Sequence, residues 1–480
     1  VRTALYNYLF AKHAGGAFIL RVEDTDQNRY VPGAEEYIVE ALNWFGLTPD
    51  EGPGFGGDYG PYRQSERKDF YAKYAIQMVE QGNAYYAWDT PADLDSMRTQ
   101  DSNAKYDAKT RVKMKNGLTL SADEVKLKLE SGAKYVIRLK MPENEDVMIT
   151  DLVRGEVTFN TQDLDDKVIL KGDGMPTYHL ANIVDDYLMK ISHIIRGEEW
   201  LPSLPLHVLL YNSFGWPVPK FAHLPLILKP IGKGKLSKRD GDKLGFPVFP
   251  LAYTNEETGG VSLGYKESGY FSDAFINMLS LLGWNPGTEQ ELFSIEELIT
   301  TFDLSRVSKS GAKFSLDKTN WFNQQYLQKK TDAELALLFS VILKNKKINS
   351  SKSYVEKVAS LIKERAVFVK DFWSLSSYFF KTPEGYDEKA SKKQWKEGTS
   401  ALMNELIIVL ASIDDFSSKT IEETVKSWIS SKEIGFGKIM QPLRLAIVGE
   451  MKGPHLFDII DMIGKDEAVL RIKKIIKTLS

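Results

Sequence analysis

A chain of 480 residues is too long for one hydrophobic core and asks for two to four domains. Its 43% hydrophobic and 26% charged residues suit a globular protein, no run approaches the roughly eighteen uncharged apolar residues of a membrane span, and the first eight residues lack a signal-peptide pattern. Lysine and arginine number 62 against 65 acids, a formal charge of -3 that neither announces a nucleic-acid binder nor excludes one with a basic face, and the absence of cysteine rules out disulfides, thiolate catalysis and cysteine-ligated zinc.

The first seventy residues read as helix, strand, helix. Arg2 to Ala14 has helical spacing through Leu5, Tyr8 and Leu9 and stops at Gly15-Gly16. Ala17 to Val22 is a short apolar run suited to a buried parallel strand, and it runs straight into Glu23-Asp24-Thr25-Asp26. Gly33 to Phe45 is again helical, with Ile38, Leu42 and Phe45 on one face. A strand between helices predicts an α/β layered domain. The helix Asp69 to Gln81 leads into a stretch of mixed character: Tyr85-Tyr86-Ala87-Trp88, a polar segment over 101–115, and strand-like pieces at 135–139 and 156–159. The α/β pattern resumes with Val168-Ile169-Leu170, a helix over Tyr178 to Leu188, a strand over Ile191 to Ile195 and a helix over Leu204 to Phe214. A Gly-, Pro- and Thr-rich region over 247–264 follows. Beyond Asp273 helices dominate, and the repeated helical periodicity from Thr319 to Ser480 predicts a helical C-terminal domain.

The six histidines (His13, His179, His193, His207, His223 and His455) show no paired-ligand spacing, so no metal site is expected. Gly52 to Gly57 satisfies G-x-G-x-x-G literally, but a helix and a turn precede it where the dinucleotide fingerprint needs a strand, so it reads as a surface loop. Gly232 to Gly241 contains Lys235-Leu236-Ser237-Lys238-Arg239, with cations, a hydroxyl and flexible glycines in one short segment. Such a loop can close over a triphosphate and neutralise charge on the α-phosphate and the leaving pyrophosphate. Alone, it reads more readily as a solvated basic loop.

Context adds weight. The segments Phe18 to Asp26, Gly60 to Arg67, Pro176 to Asn182, Ile195-Arg196-Gly197-Glu198-Glu199-Trp200, Leu281 to Trp284, Phe302 to Lys309, Gln441 to Arg444 and Leu456 to Ile460 resemble the bacterial glutamyl-tRNA synthetase family, in the family's order and across essentially the whole chain. The basic loop then resembles the K-M-S-K-S-like loop of class I aminoacyl-tRNA synthetases, which implies catalytic roles for Lys235, Ser237, Lys238 and Arg239. The resemblance implies that Glu23 pairs with the substrate ammonium, that Tyr178 and Asn182, four apart on one helix face, orient the amino acid, and that Arg196 reads the side-chain carboxylate. A planar guanidinium suits a bidentate carboxylate partner, whereas glutamine would leave it poorly paired. Glu199 and Trp200, with Lys235 and Lys238, resemble ATP-pocket positions, although Trp200 fits a core position as well. Arg365 and Arg444 resemble anticodon-reading residues.

The implied fold is α/β: a class I synthetase Rossmann-like catalytic domain (1–71 and 176–240) split by an acceptor-end-binding insertion (72–175). A stem-contact region (241–318) and a mostly α-helical anticodon-binding region (319–480) follow. The implied reaction joins L-glutamate to tRNA(Glu) through a glutamyl-adenylate, with ATP and accompanying Mg²⁺, no structural zinc and adenylate formation dependent on bound tRNA. A cytoplasmic monomer without membrane contact is expected. A glutaminyl-tRNA synthetase shares these motifs, but Arg196 and the helical C-terminal third argue against it. A tRNA-binding relative without synthetase activity is the other alternative, because family members carry a strand and an H-I-G-H-like motif before the helix that begins near Val1. The expectation is that this sequence is a fragment of a longer natural protein that contains them.

Overall fold

The computed structural model describes residues 1–26, 31–100, 104–254 and 259–479, with the backbone alone described at Gln100, Lys238, Arg239 and Asp242. Residues 101–103 of the predicted polar segment and 255–258 of the Gly-rich region lie outside the described residues. The chain forms two compact units, one of residues 1–265 and 275–316, the other of residues 266–274 and 317–480.

In the first unit, α1 (Arg2–His13) buries Leu5, Tyr6 and Leu9 and ends where Gly15 takes a left-handed φ of 67°. The apolar run after it does not form the predicted ladder strand. It is extended but makes only isolated parallel bridges, Ile19 to Glu51 and Val22 to Arg63, with Leu20 N–H donating to the Glu51 carbonyl and Val22 N–H to that of Tyr62. The residues opposite it turn away after one pair each, so no continuous register develops. In α2 (Ala34–Trp44), Leu42 is buried whereas Ile38 is exposed, which narrows the predicted apolar face.

After α3 (Lys68–Glu80), the mixed stretch contributes the helices α4 (Pro91–Gln100) and α5 (Ala122–Glu130), and its strands enter two sheets. β1 (Ala84–Ala87), β2 (Val136–Leu139) and β5 (Val168–Leu170) form a three-stranded antiparallel sheet ordered β1-β2-β5. The hairpin of β3 (Asp146–Asp151) and β4 (Gly155–Asn160) joins β6 (His193–Gly197) and β7 (Lys220–Leu224) in a four-stranded sheet ordered β4-β3-β7-β6, parallel across β3-β7-β6. β3 alternates strictly, with Val147, Ile149 and Asp151 on the buried face. The third inward position thus holds a carboxylate where patterning alone would place an apolar side chain.

The helix α6 (Tyr178–Leu188) is buried nearly all round. Leu180, Ala181, Ile183 and Val184 join the core formed with α3, β2, β5 and α7 (Leu204–Phe214), while Asn182, Asp185 and Asp186 are buried by polar partners. Each fully buried aliphatic side chain of this core contributes about 1.5–3 kcal/mol relative to exposure.

The second unit is helical, and among its described residues there is no strand. Its core draws Val355, Val358, Ala359 and Ile362 from the helix Lys352–Ile362, a spacing of 3, 4 and 7 that matches the helical period. The last helix, Lys465–Leu479, adds Ile472 and Ile475 together with Arg471, which is 1% exposed. Arg471 donates to the carbonyls of Tyr378 and Ile447 and to Glu467 Oε1, each at 2.7 Å. Among the described residues, no helix is long and apolar enough to cross a membrane.

Candidate active site

One cavity of about 730 Å³ gathers the side chains that the sequence singles out for amino-acid binding: Glu23, Tyr178, Asn182 and Arg196 all line it. They converge from the extended segment after α1, from the first turns of α6 and from the end of β6. Arg21, Asp186 and His207 line the same cavity and were not assigned from sequence.

The two arginines have different partners. Arg21 donates from Nη1 to Asp186 Oδ1 at 2.7 Å, and from Nη2 to Glu23 Oε1 at 3.2 Å and Asn182 Oδ1 at 3.3 Å. Burial would lower its pKa, but Asp186, Glu23 and Asp185 outweigh that and raise it, so it stays charged. Burial pushes the Glu23 carboxyl up against the opposing pull of Arg21. Asn182 Oδ1 also accepts from Gln64 Nε2 at 3.2 Å, so the amide nitrogen is the polar atom Asn182 has left to offer. Asp185 belongs to the scaffold: Arg67 Nε donates to it at 2.7 Å and the Tyr71 hydroxyl at 2.8 Å.

Arg196 is 9% exposed and meets imidazoles instead of carboxylates. Its Nε donates to His223 Nε2 at 3.0 Å, Nη1 to His207 Nδ1 at 3.1 Å, and Nη2 to the Trp200 carbonyl at 3.4 Å. Among the described residues, no carboxylate lies within ion-pair distance of it. Burial is the main influence on this guanidinium and lowers its pKa; the Tyr178 phenol beside it pulls the other way. His207 is pushed well below the usual imidazole range by burial and then by Arg196, so it is a neutral acceptor. With its Nδ1 lone pair facing Arg196, its proton sits on Nε2 and points at His179 Nδ1, 3.0 Å away. Burial lowers the His179 pKa to about 4.

On the other side, His223 Nδ1 donates to Asp151 Oδ2 at 2.7 Å. The Asp151 carboxylate also accepts the backbone N–H groups of Val153 at 2.9 Å and Arg154 at 2.8 Å. The sheet register builds this chain: Arg196 of β6 lies opposite His223 of β7, and Asp151 of β3 opposite Phe221 of β7. Histidine spacing along the chain does not reveal it, because His223 meets Arg196 and Asp151 only across strands. The one available signal was a histidine inside the apolar run Phe221-Ala222-His223-Leu224.

Trp200 is 37% exposed and stacks on Tyr178, with ring centroids 4.4 Å apart, so it flanks the cavity wall and is not a core residue. Glu199 accepts from Lys235 Nζ at 2.9 Å. The Glu199 carboxylate folds back over Gly197, where a Cβ would lie 2.1 Å from Oε2 and would displace it. Of the basic loop, Leu236 N–H donates to the Ile227 carbonyl at 2.8 Å, and Ser237 caps α8 (Lys238–Leu244) in a reciprocal box with Asp240. Asp240 is held down at about 2 by Ser237 and Lys229. The side chains of Lys238 and Arg239 lie outside the described residues. Asp24 accepts the Ser65 backbone N–H at 2.8 Å and its hydroxyl at 2.5 Å.

In the helical unit, Arg365 is exposed at the end of the short turn Lys363–Arg365. Arg444 donates to the carbonyls of Lys452 at 3.1 Å and Pro454 at 3.0 Å. The two arginines, far apart in sequence, both act electrostatically on the buried Tyr378 phenol.

The family model described as "tRNA synthetases class I (E and Q), catalytic domain" matches residues 1–321, and "Anticodon binding domain" matches residues 327–476. The glutamate–tRNA ligases of Flavobacterium johnsoniae and Christiangramia forsetii are 59% and 58% identical to this chain, over all of it and 96% of their own length. The crystal structure of a glutamate tRNA ligase from Elizabethkingia meningosepticum, in complex with its amino acid, superposes with a TM-score of 0.97 at 52% identity, covering 100% of this chain and 96% of that one. A glutamate-tRNA synthetase from Elizabethkingia anophelis gives 0.94 at 52% identity, over 99% of this chain and 96% of that one.

Proposed function

This chain belongs to the class I tRNA synthetases (E and Q), and from that premise we infer that it is a glutamate–tRNA ligase. The observation that carries the substrate assignment is Arg196, a nearly buried cation whose partners are a carbonyl and imidazole nitrogens. Nothing in its first contacts cancels its charge, so an incoming carboxylate gains a charge-assisted pair without displacing a rival. The side-chain carboxylate of L-glutamate fills that role, and the amide of glutamine does not.

The rest of the cavity suits an amino acid held by its other groups. The substrate ammonium lies against Glu23, and Tyr178 and the Asn182 amide orient it. The α-carboxylate oxygen attacks the α-phosphorus of ATP; the bond to the β-phosphate bridging oxygen breaks and pyrophosphate leaves. A terminal ribose hydroxyl of tRNA(Glu) then attacks the acyl carbon, and AMP leaves. Positioning and charge stabilisation carry both steps. Lys235, Lys238 and Arg239 neutralise phosphate charge, and Ser237 anchors their loop to the start of α8. Glu199 and Trp200 border the adenosine. Mg²⁺ accompanies ATP and supplies additional charge neutralisation at the phosphates. For tRNA, residues 72–175 take the acceptor end, 241–318 the stem and 319–480 the anticodon, with Arg365 and Arg444 as anticodon contacts. The reading is of a cytoplasmic monomer.

The test is charging of tRNA(Glu) with radiolabelled glutamate, with radiolabelled glutamine in parallel. Acid-precipitable glutamate that depends on ATP and tRNA supports the reading. Glutamine charging of equal efficiency would move the chain to the glutaminyl branch, and no charging of either would leave a tRNA-binding protein.

A further inference from the structure

We propose that Asp151 and His223 are positioning residues for substrate selection: the hydrogen-bonded chain Asp151–His223–Arg196, laid across three adjacent strands, fixes the guanidinium that reads the substrate's side-chain carboxylate. The inference rests on the role given to Arg196 above.

A guanidinium needs its N–H groups fixed if two of them are to meet a carboxylate in one plane. A protein carboxylate in direct contact would do this, but it would also neutralise the charge and compete with the substrate. Arg21 is in that situation, paired with Asp186 and Glu23. Arg196 is not. His223 Nε2 accepts from its Nε, His207 Nδ1 from its Nη1, and both acceptors hold orientation without carrying negative charge. The carboxylate is displaced by one imidazole ring. Asp151 Oδ2 accepts from His223 Nδ1–H at 2.7 Å, which leaves the Nε2 lone pair bare toward Arg196. In the opposite tautomer Nε2–H would face Arg196 Nε–H, donor against donor. Asp151 cannot turn away, because its carboxylate also receives the N–H groups of Val153 and Arg154 and is completely enclosed. The arrangement resembles the way an outer carboxylate orients a ligating histidine, with a guanidinium in place of the metal.

Two substitutions separate positioning from packing. In His223→Asn the shorter amide occupies the place of Nδ1 and keeps a partner for Asp151, but it offers nothing to Arg196. In His223→Gln the amide oxygen reaches the place of Nε2 and accepts from Arg196. With the full chain and tRNA(Glu), His223→Asn is expected to raise the KM for glutamate about tenfold or more, with the KM for ATP unchanged, and His223→Gln to restore most of the loss. Equal effects of the two variants, or an unchanged glutamate KM in His223→Asn, would overturn the proposal. A measurement on the unsubstituted protein does not depend on variant folding: ¹⁵N-histidine spectra should place the His223 proton on Nδ1, and a proton on Nε2 overturns the proposal as well. Arg196→Gln separates this inference from the reading beneath it. If Arg196→Gln abolishes the glutamate preference while His223→Asn leaves the KM unmoved, the positioning chain alone fails. If Arg196→Gln leaves the preference intact, the substrate assignment fails with it.

Discussion

Arg196→Gln is the most direct perturbation of the proposed selectivity. The guanidinium is 9% exposed and already anchored on His223 and His207, so little ordering remains to be done when substrate arrives. Two hydrogen bonds to a charged carboxylate, at about 1.5–3 kcal/mol each, amount to about 3–6 kcal/mol. Breaking a buried ion pair independently costs about 3–5 kcal/mol. The two figures agree, and at about 1.4 kcal/mol per decade they predict a fall in kcat/KM for glutamate of about 10²–10⁴. Glutamine never paired the charge, so losing it should leave the glutamine kcat/KM unchanged or raise it, and the ratio between the substrates should collapse. The assay is competitive charging of tRNA(Glu) with both labelled amino acids at several concentrations. A ratio within about threefold of the original, in a protein that melts at the original temperature, would refute the assignment.

Three further outcomes follow from the geometry. Lys235→Ala should lower kcat for charging about 100-fold while leaving the melting temperature unchanged, because the side chain is 56% exposed and its ion pair with Glu199 adds little stability; a matching drop in stability would contradict this. His179, lowered to about 4 by burial, binds its proton less readily folded than unfolded. Its contribution is therefore complete above the free imidazole value near 6.5 and lost as pH falls through about 4, so melts over that window should show acid destabilisation that is smaller in His179→Asn. Arg471→Met should destabilise the helical unit by about 3–5 kcal/mol in denaturant titrations, because two buried carbonyls and Glu467 lose their donor; an unchanged midpoint would show that the buried arginine is dispensable.

Local rules were legible where one element decides the outcome. The helix Lys352–Ile362 announces its buried face through Val355, Val358, Ala359 and Ile362, and α1 its end through Gly15. The run Ala17 to Val22 has the composition of a strand, yet its partners Glu51 and Arg63 lie on separate segments that each make one bridge, and strand formation depends on the partner as much as on the run. The family resemblance supplied Glu23, Tyr178, Asn182 and Arg196, and one cavity collects all four. It did not supply Asp151, His207 or His223. Asp151 and His223 act through contacts across 72 and 27 positions of chain, made by the register of three parallel strands, and His207 reaches Arg196 from α7. A polar residue inside an apolar strand signals that something buried must be satisfied, but the sequence does not say by what.

Arg21 and Arg196 make the distinction concrete. Both end or adjoin an apolar extended run, both line the same cavity and both are enclosed. Residue type therefore cannot assign their roles; the class of partner does. Arg21 is matched by Asp186 and Glu23, so it organises carboxylates that face the substrate and brings no net attraction for an anion. Arg196 is matched by imidazoles and keeps its charge. The cavity is consequently polarised, with Glu23 and Asp186 gathered around Arg21 and, at the end of β6, a cation whose direct contacts carry no negative charge. On the proposed reading, an amino acid entering it is oriented by that polarity, its ammonium toward Glu23 and its side-chain carboxylate toward Arg196. Rejection of glutamine then needs no steric element. A neutral amide in that position closes the cavity over a charge without a counter-ion, and an unpaired buried charge is penalised more heavily than any single contact in the cavity rewards.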